Sequence, residues 1–108
     1  MKEAEALQAF SALSGETRLR MLRLLVFAGE GGMTAGDISA QTAAAPSRAS
    51  FHLSALAKAG LVSATREAKQ IRYHVRFETL GELMGYILTD CCQNHPTVRS
   101  CCLGDQGC

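Results

Sequence analysis

Cysteine is missing from the first ninety residues, and no apolar run comes near the ~20 residues that a helix needs to cross a bilayer. The second absence argues against a membrane-spanning helix. The opening stretch MKEAEALQAF also lacks the basic start and apolar run of a signal peptide, so a cytoplasmic chain without a membrane partner is expected. Low-complexity tracts are absent and 47% of the residues are hydrophobic, which is the composition of a folded chain. Net charge is nearly absent too, at +1. A nucleophile–base pair cannot be found either. His52, His74 and His95 each stand near no residue that could serve as partner, so an enzyme is not expected.

With 108 residues the chain is one small domain whose limited core favours stabilisation by a second copy. Its organisation reads as residues 1–92, folded, followed by a cysteine-rich tail, 93–108. The expected fold is mainly α with a small β-hairpin, a winged helix-turn-helix, forming a homodimer through its first and last helices.

The stretch from Thr34 to Arg76 carries most of the information. Thr34 can cap a short helix, with Asp37 as its acidic partner and Ile38 as its buried residue. Thr42 to Ala45 form a turn. Pro46 suits the first turn of a second helix, where its missing N–H is not needed. Ala49, Leu53, Leu56 and Gly60 share one helical face, and Gly60 stands where a left-handed glycine ends a helix. The other faces carry Ser47, Arg48, Ser50, Phe51, His52 and Ser54. Small hydroxyls, an arginine and a histidine near a helix N-terminus can reach base edges and phosphates in a major groove.

Two strands follow, Leu61–Arg66 and Ile71–Arg76, around the turn Glu67-Ala68-Lys69-Gln70. In the second arm Ile71, Tyr73 and Val75 alternate with Arg72, His74 and Arg76, the period of a half-buried strand. Such a basic hairpin can lie along a phosphate backbone through Arg66, Lys69 and Arg72. Residues 45–76 hold six basic side chains against Glu67 alone, a local net charge of +5, which leaves −4 for the remainder. The near-neutral total therefore hides the asymmetry that electrostatic DNA binding requires.

The flanks read as scaffold. A first helix runs from Glu3 to about Leu13, with Leu7, Phe10 and alanines on one side. Ser14 is a good cap for the next helix, in which Leu19, Leu22 and Val26 form a core stripe with Met21 and Leu25 beside it. Gly29 to Gly32 form a loop. The last helix, Glu78 to about Cys92, carries Leu80, Leu83, Met84, Ile87, Leu88 and Cys91 as a continuous apolar stripe suited to a partner subunit. Pro96 is expected to stop it and to leave a mobile tail.

All five cysteines, Cys91, Cys92, Cys101, Cys102 and Cys108, fall within the last 18 residues. An odd number in a reducing compartment argues for metal, metalloid or redox chemistry over a disulfide framework.

Leu13-Ser14-Gly15-Glu16-Thr17-Arg18-Leu19-Arg20-Met21-Leu22 resembles the opening helix signature of ArsR/SmtB transcriptional repressors. Ser50-Phe51-His52-Leu53, Leu56 and Ala59-Gly60-Leu61-Val62 resemble their reading helix and its exit into the wing. The resemblance covers about Leu7 to Leu88. It implies a homodimeric repressor that holds double-stranded operator DNA and releases it on binding a metal or metalloid. The arsenic site that some members carry as Cys-x-Cys before the reading helix is absent, because Ala35–Ala40 contain no cysteine. The zinc site that others carry on the last helix finds only Glu82, Asp90 and His95, at the wrong spacing. Cys91-Cys92, followed shortly by a third cysteine, resembles arsenite repressors whose site closes the last helix. Here the downstream cysteine is a pair, Cys101-Cys102, with Cys108 in addition.

Soft thiolates select soft ions, and trivalent arsenic takes three in a pyramid. Neighbouring side chains on an α-helix point about 100° apart, so both thiolates reach one ion only where the helix loosens. The metal set is thus Cys91, Cys92, Cys101 and Cys102, with trivalent arsenic as inducer. Zinc, cadmium or lead at the same cysteines, or their oxidation, are the alternatives.

Overall fold

The computed structural model describes residues 1–104. Cys108 lies outside them. The first helix, α1 (Glu3–Leu13), turns Ala6, Ala9 and Ala12 into the core, whereas Leu7 and Phe10 point away from it. Small residues let α1 approach the body closely. The expectation that Leu7 and Phe10 share the buried side with the alanines is thus corrected, and Leu7 stays 60% exposed.

Ser14 does not cap the second helix. Its hydroxyl donates to the Ser11 carbonyl at 2.9 Å and closes α1, while Gly15 precedes α2 (Glu16–Ala28). The buried residues of α2 are Met21, Leu22 and Leu25, and Leu19 and Val26 remain exposed. The core stripe is therefore rotated from the one expected, because α3, α4 and β3 all pack on the Met21–Leu25 side.

Gly29–Gly31 make one 3-10 turn, and β1 (Met33–Thr34) then pairs antiparallel with β3. The sheet has three strands in the order β1-β3-β2, one more than the sequence suggested. Two residues are too few to show an alternating pattern. Thr34 does cap α3 (Ala35–Thr42), its hydroxyl accepting from the Asp37 N–H at 3.2 Å. Ile38 is buried, as expected. Ala43, in the left-handed region at φ 56°, starts the turn into α4 (Pro46–Lys58).

Pro46 stands in the first turn of α4, and Ala49, Leu53 and Leu56 are buried. Gly60 ends the helix at φ 80°, where the Gly60 and Leu61 amides donate back to the Ala57 and Leu56 carbonyls at 3.0 and 3.1 Å. This is the glycine-dependent helix stop expected there. The hairpin follows as β2 (Val62–Glu67) and β3 (Gln70–Val75). Glu67 pairs with Gln70, so the turn is Ala68-Lys69 alone, with Ala68 at φ 52°; it is two residues shorter than expected.

The last long helix is divided. Its first part, α5 (Phe77–Gly85), is α-helical, and Tyr86–Cys91 widen into a π-helical turn. Gln93 and Asn94 take positive φ, 53° and 56°, and turn the chain. Pro96 then begins a helix instead of ending one. It occupies the first turn of α6 (Pro96–Leu103), where its missing N–H costs nothing, and the His95 Nδ1 caps the Thr97 amide at 3.1 Å. The expectation of an unstructured stretch directly after Pro96 is corrected accordingly. No helix among the described residues is long and apolar enough to cross a membrane.

Candidate nucleic-acid interface and cysteine cluster

Because α4 buries Ala49, Leu53 and Leu56, its opposite face is left to solvent. Ser47, Arg48, Ser50 and Ser54 are exposed there, and Phe51 is 65% exposed despite its size. His52 is half-buried at the edge of this face. The Arg18 Nε–H, from the first turn of α2, donates to His52 Nδ1 at 3.0 Å. The Arg18 guanidinium carbon also sits 5.7 Å from the Phe51 ring centre. Burial, then the positive charges of Arg18 and Arg48, hold the His52 pKa below its ordinary value. Arg18 was not legible as part of this face. In the sequence it looked like a surface charge, and nothing local links it to a residue 34 positions on.

The wing divides its cations. Arg66 and Lys69 are exposed. Arg72 is half-buried: its Nε donates to both Glu67 carboxylate oxygens, at 3.0 and 3.1 Å, and its Nη1 to the Gly31 carbonyl at 3.2 Å. His74 Nδ1 lies 3.0 Å from the Glu30 carbonyl. Residues 29–32 thus cover the β3 face that the alternation pattern assigned to solvent. Arg72 ties the wing to the body, and Arg66 and Lys69 are the wing cations left open.

At the other end, Cys91 and Cys92 end the π-helical turn and touch through a thiol–thiol hydrogen bond. That bond, then burial and the neighbouring Cys91 charge, push the Cys92 thiol above its ordinary pKa. A raised pKa means less thiolate at neutral pH and slower alkylation. Cys91→Ala is expected to speed iodoacetamide labelling of Cys92 at pH 7.5; mass spectrometry of the labelled peptide reads the rate. An unchanged rate would mean the two thiols are not coupled.

Cys101 and Cys102 lie on α6 and, with Met84, Ile87 and Leu88, line an apolar groove of about 430 Å³. Cys102 is free and Cys101 is disulfide-bonded. Among the described residues no three His, Cys, Asp or Glu side chains are gathered closely enough to hold a metal ion. The structure therefore brings Cys91 and Cys92 together but does not bring Cys101 and Cys102 onto them. Of the other candidates, His95 has its Nδ1 committed to the Thr97 amide.

Two helices joined by a tight turn, the second with an open polar face, beside a basic hairpin: this is a winged helix-turn-helix protein. Comparison with known proteins narrows the class. Residues 13–63 match the helix-turn-helix domain family HTH_20. A probable mercury resistance operon repressor of Streptomyces lividans is 33% identical over 75 residues, 69% of this chain. The chain spans 58% of that relative's length. An ArsR-like transcriptional regulator from Rhodococcus sp. RHA1 superposes with a TM-score of 0.72 at 27% identity, over 83% of this chain and 82% of that one. The crystal structure of a possible transcriptional regulator for arsenical resistance gives 0.64 at 28% identity, over 74% and 79% of the two chains. The chain has an ArsR-like winged-helix fold, and the proteins it resembles are described as regulators and repressors.

Proposed function

We propose that the chain is a dimeric transcriptional repressor. It grips operator DNA with α4 and the wing, and it releases DNA when a thiophilic ion, arsenite first, binds the cysteines after α5. The observation that carries the DNA reading is the uncovered polar face of α4 flanked by the open cations Arg66 and Lys69. Arg48, Ser47, Ser50, Phe51 and His52 are the groove-facing set; Arg66 and Lys69 take phosphates. Arg72 supports the wing.

Phosphate contacts release counterions, so affinity falls with salt with a slope of roughly 0.9 per contact. Arg66→Ala/Lys69→Ala should bind selected and unselected duplexes more weakly alike and lower the slope by about 2. Fluorescence anisotropy at several salt concentrations checks this. A slope equal to the wild type's would remove both residues from the interface.

Dimerisation is proposed through the faces left open on α1 and α5. Leu7, Phe10 and Met84 are exposed large apolar side chains, and Ile87 and Leu88 are only half-buried. Large apolar residues grouped this way mark an association surface. Two copies would also present two α4 helices to successive major grooves, about 34–36 Å apart. Leu7→Glu/Met84→Glu is expected to sediment as a monomer where the wild type sediments as a dimer. A monomeric wild type would refute this assembly.

For the ligand, the contact between Cys91 and Cys92 supplies two thiols side by side. In the reduced chain, a third from Cys102 or Cys101 completes the pyramid that trivalent arsenic prefers. The solved structure described as a possible arsenical-resistance regulator favours arsenite. The mercury-resistance relative favours a second reading, in which a soft divalent ion takes Cys91 and Cys92. Zinc, cadmium, lead and oxidation at the same cysteines are separated by the same titration. Each thiol must lose its proton to bind, so ligand affinity should rise with pH, most at Cys92.

A further inference from the structure

The contact between α2 and α4 fixes a proton as well as a position. An arginine Nε–H can only donate, so His52 Nδ1, 3.0 Å away, must accept. The imidazole is then neutral, with its hydrogen on Nε2. No other hydrogen bond to His52 exists among the described residues, so Nε2–H is uncommitted. Phe51 holds the arrangement from the side: its ring lies 5.6 Å from the His52 ring at 66° and 5.7 Å from the Arg18 guanidinium carbon. The donor faces no competition for Arg18, whose only printed hydrogen bond is the one to His52.

We propose that Arg18 is a positioning residue for DNA recognition: it fixes His52 as an Nε2–H donor and so makes the reading helix select a hydrogen-bond acceptor on DNA. This rests on the DNA reading above. Without Arg18, a neutral imidazole could take either tautomer and could accept as well as donate at Nε2. With Arg18, Nε2 can pair with guanine N7 or O6, adenine N7, thymine O4 or a phosphate oxygen, and it is mismatched to the cytosine amino group. The Arg18 guanidinium acts through His52 and needs no contact with DNA of its own.

The tautomer is read directly in the full-length, DNA-free protein by long-range proton–nitrogen NMR of the imidazoles at pH 7.5. The wild type should show His52 as the Nε2–H form, and Arg18→Met a mixture. A wild-type ring with its hydrogen on Nδ1, or an Arg18→Met spectrum identical to the wild type's, would overturn the proposal. The wild-type spectrum needs no variant to fold. The second arm uses duplexes selected by the wild-type protein from a randomised pool. Arg18→Met should bind them on the order of two- to tenfold more weakly, the effect of one hydrogen bond, and should cost nothing further once His52→Ala is present. A greater loss on selected than on unselected duplex assigns the acceptor to a base edge, and an equal loss assigns it to phosphate. Additive losses in the double variant would overturn the assignment of Arg18 as acting through His52. A wild type with the Nε2–H form that binds no duplex at all would refute the DNA reading of the chain while leaving the Arg18–His52 geometry intact.

Discussion

Replacing Cys91 and Cys92 together by serine is expected to leave DNA binding within about twofold of the wild type and to abolish release by arsenite. The two residues lie beyond α5, at the far side of the π-helical turn from the wing, and neither belongs to the α4 face. Serine keeps the size of the side chain but is a poor ligand for a soft ion. The expected effect is large because the ligand must do large work. Moving a population from 1:99 to 99:1 in favour of the DNA-free arrangement takes roughly 5.5 kcal/mol of preferential binding, and removing two of three thiolates removes most of it. Anisotropy of a labelled duplex, titrated with arsenite for both proteins, measures the loss. If the double variant stopped binding DNA, the cysteines would be structural and the sensor assignment would fail. If it still released DNA at the wild-type arsenite concentration, the ligand would sit elsewhere.

Gly32→Ala is expected to lower stability by about 3 kcal/mol, a large fraction of what a small domain has. Gly32 lies at φ 66° and ψ −167°, a region that is essentially closed to residues with a side chain. A Cβ there would also overlap the Tyr73 backbone carbonyl and approach the His74 ring at 2.8 Å. Backbone on both sides of the clash leaves little room to relax, because Met33 and Thr34 are already paired with Tyr73 and Arg72. For a chain of this size, melting should come roughly 10–20 °C earlier by circular dichroism. Gly36→Ala is the control. A Cβ at Gly36 meets nothing within 4 Å, so that variant should melt at or slightly above the wild-type temperature. Equal melting of Gly32→Ala and wild type would mean that β1 is not held against β3.

The residues that were easy to read are those whose role is local. Pro46, Gly60, Thr34 and the Ala49–Leu53–Leu56 face follow from capping chemistry and helical spacing, and each is where the sequence put it. The α4 face was legible for the same reason: once the buried positions are known, the exposed ones follow. What escaped depends on contacts far apart in the chain. β1 is two residues long and is defined only by its pairing with β3. Arg72 looked like an outward wing cation because alternation says nothing about the loop that covers it. Arg18 looked like any helix-end arginine until α2 and α4 were packed. In α1, amphipathicity was visible but its direction was not. The core took the alanines, where close approach matters more than area, and left Leu7 and Phe10 outside. Pro96 misled because the same residue that blocks a helix interior is favoured in a first turn.

The most direct test of the central reading is one titration. A labelled duplex from the region upstream of the protein's own gene is mixed with reduced protein, and anisotropy is followed as arsenite, mercury(II), zinc and a mild oxidant are added in separate runs. Binding at low salt that falls steeply with added salt, and that is reversed by arsenite, is the predicted result. Release by mercury(II), zinc or oxidant but not by arsenite would keep the repressor and change its ligand. Absence of binding under every condition would contradict the account at its base, in the reading of α4 and the wing as a surface for DNA.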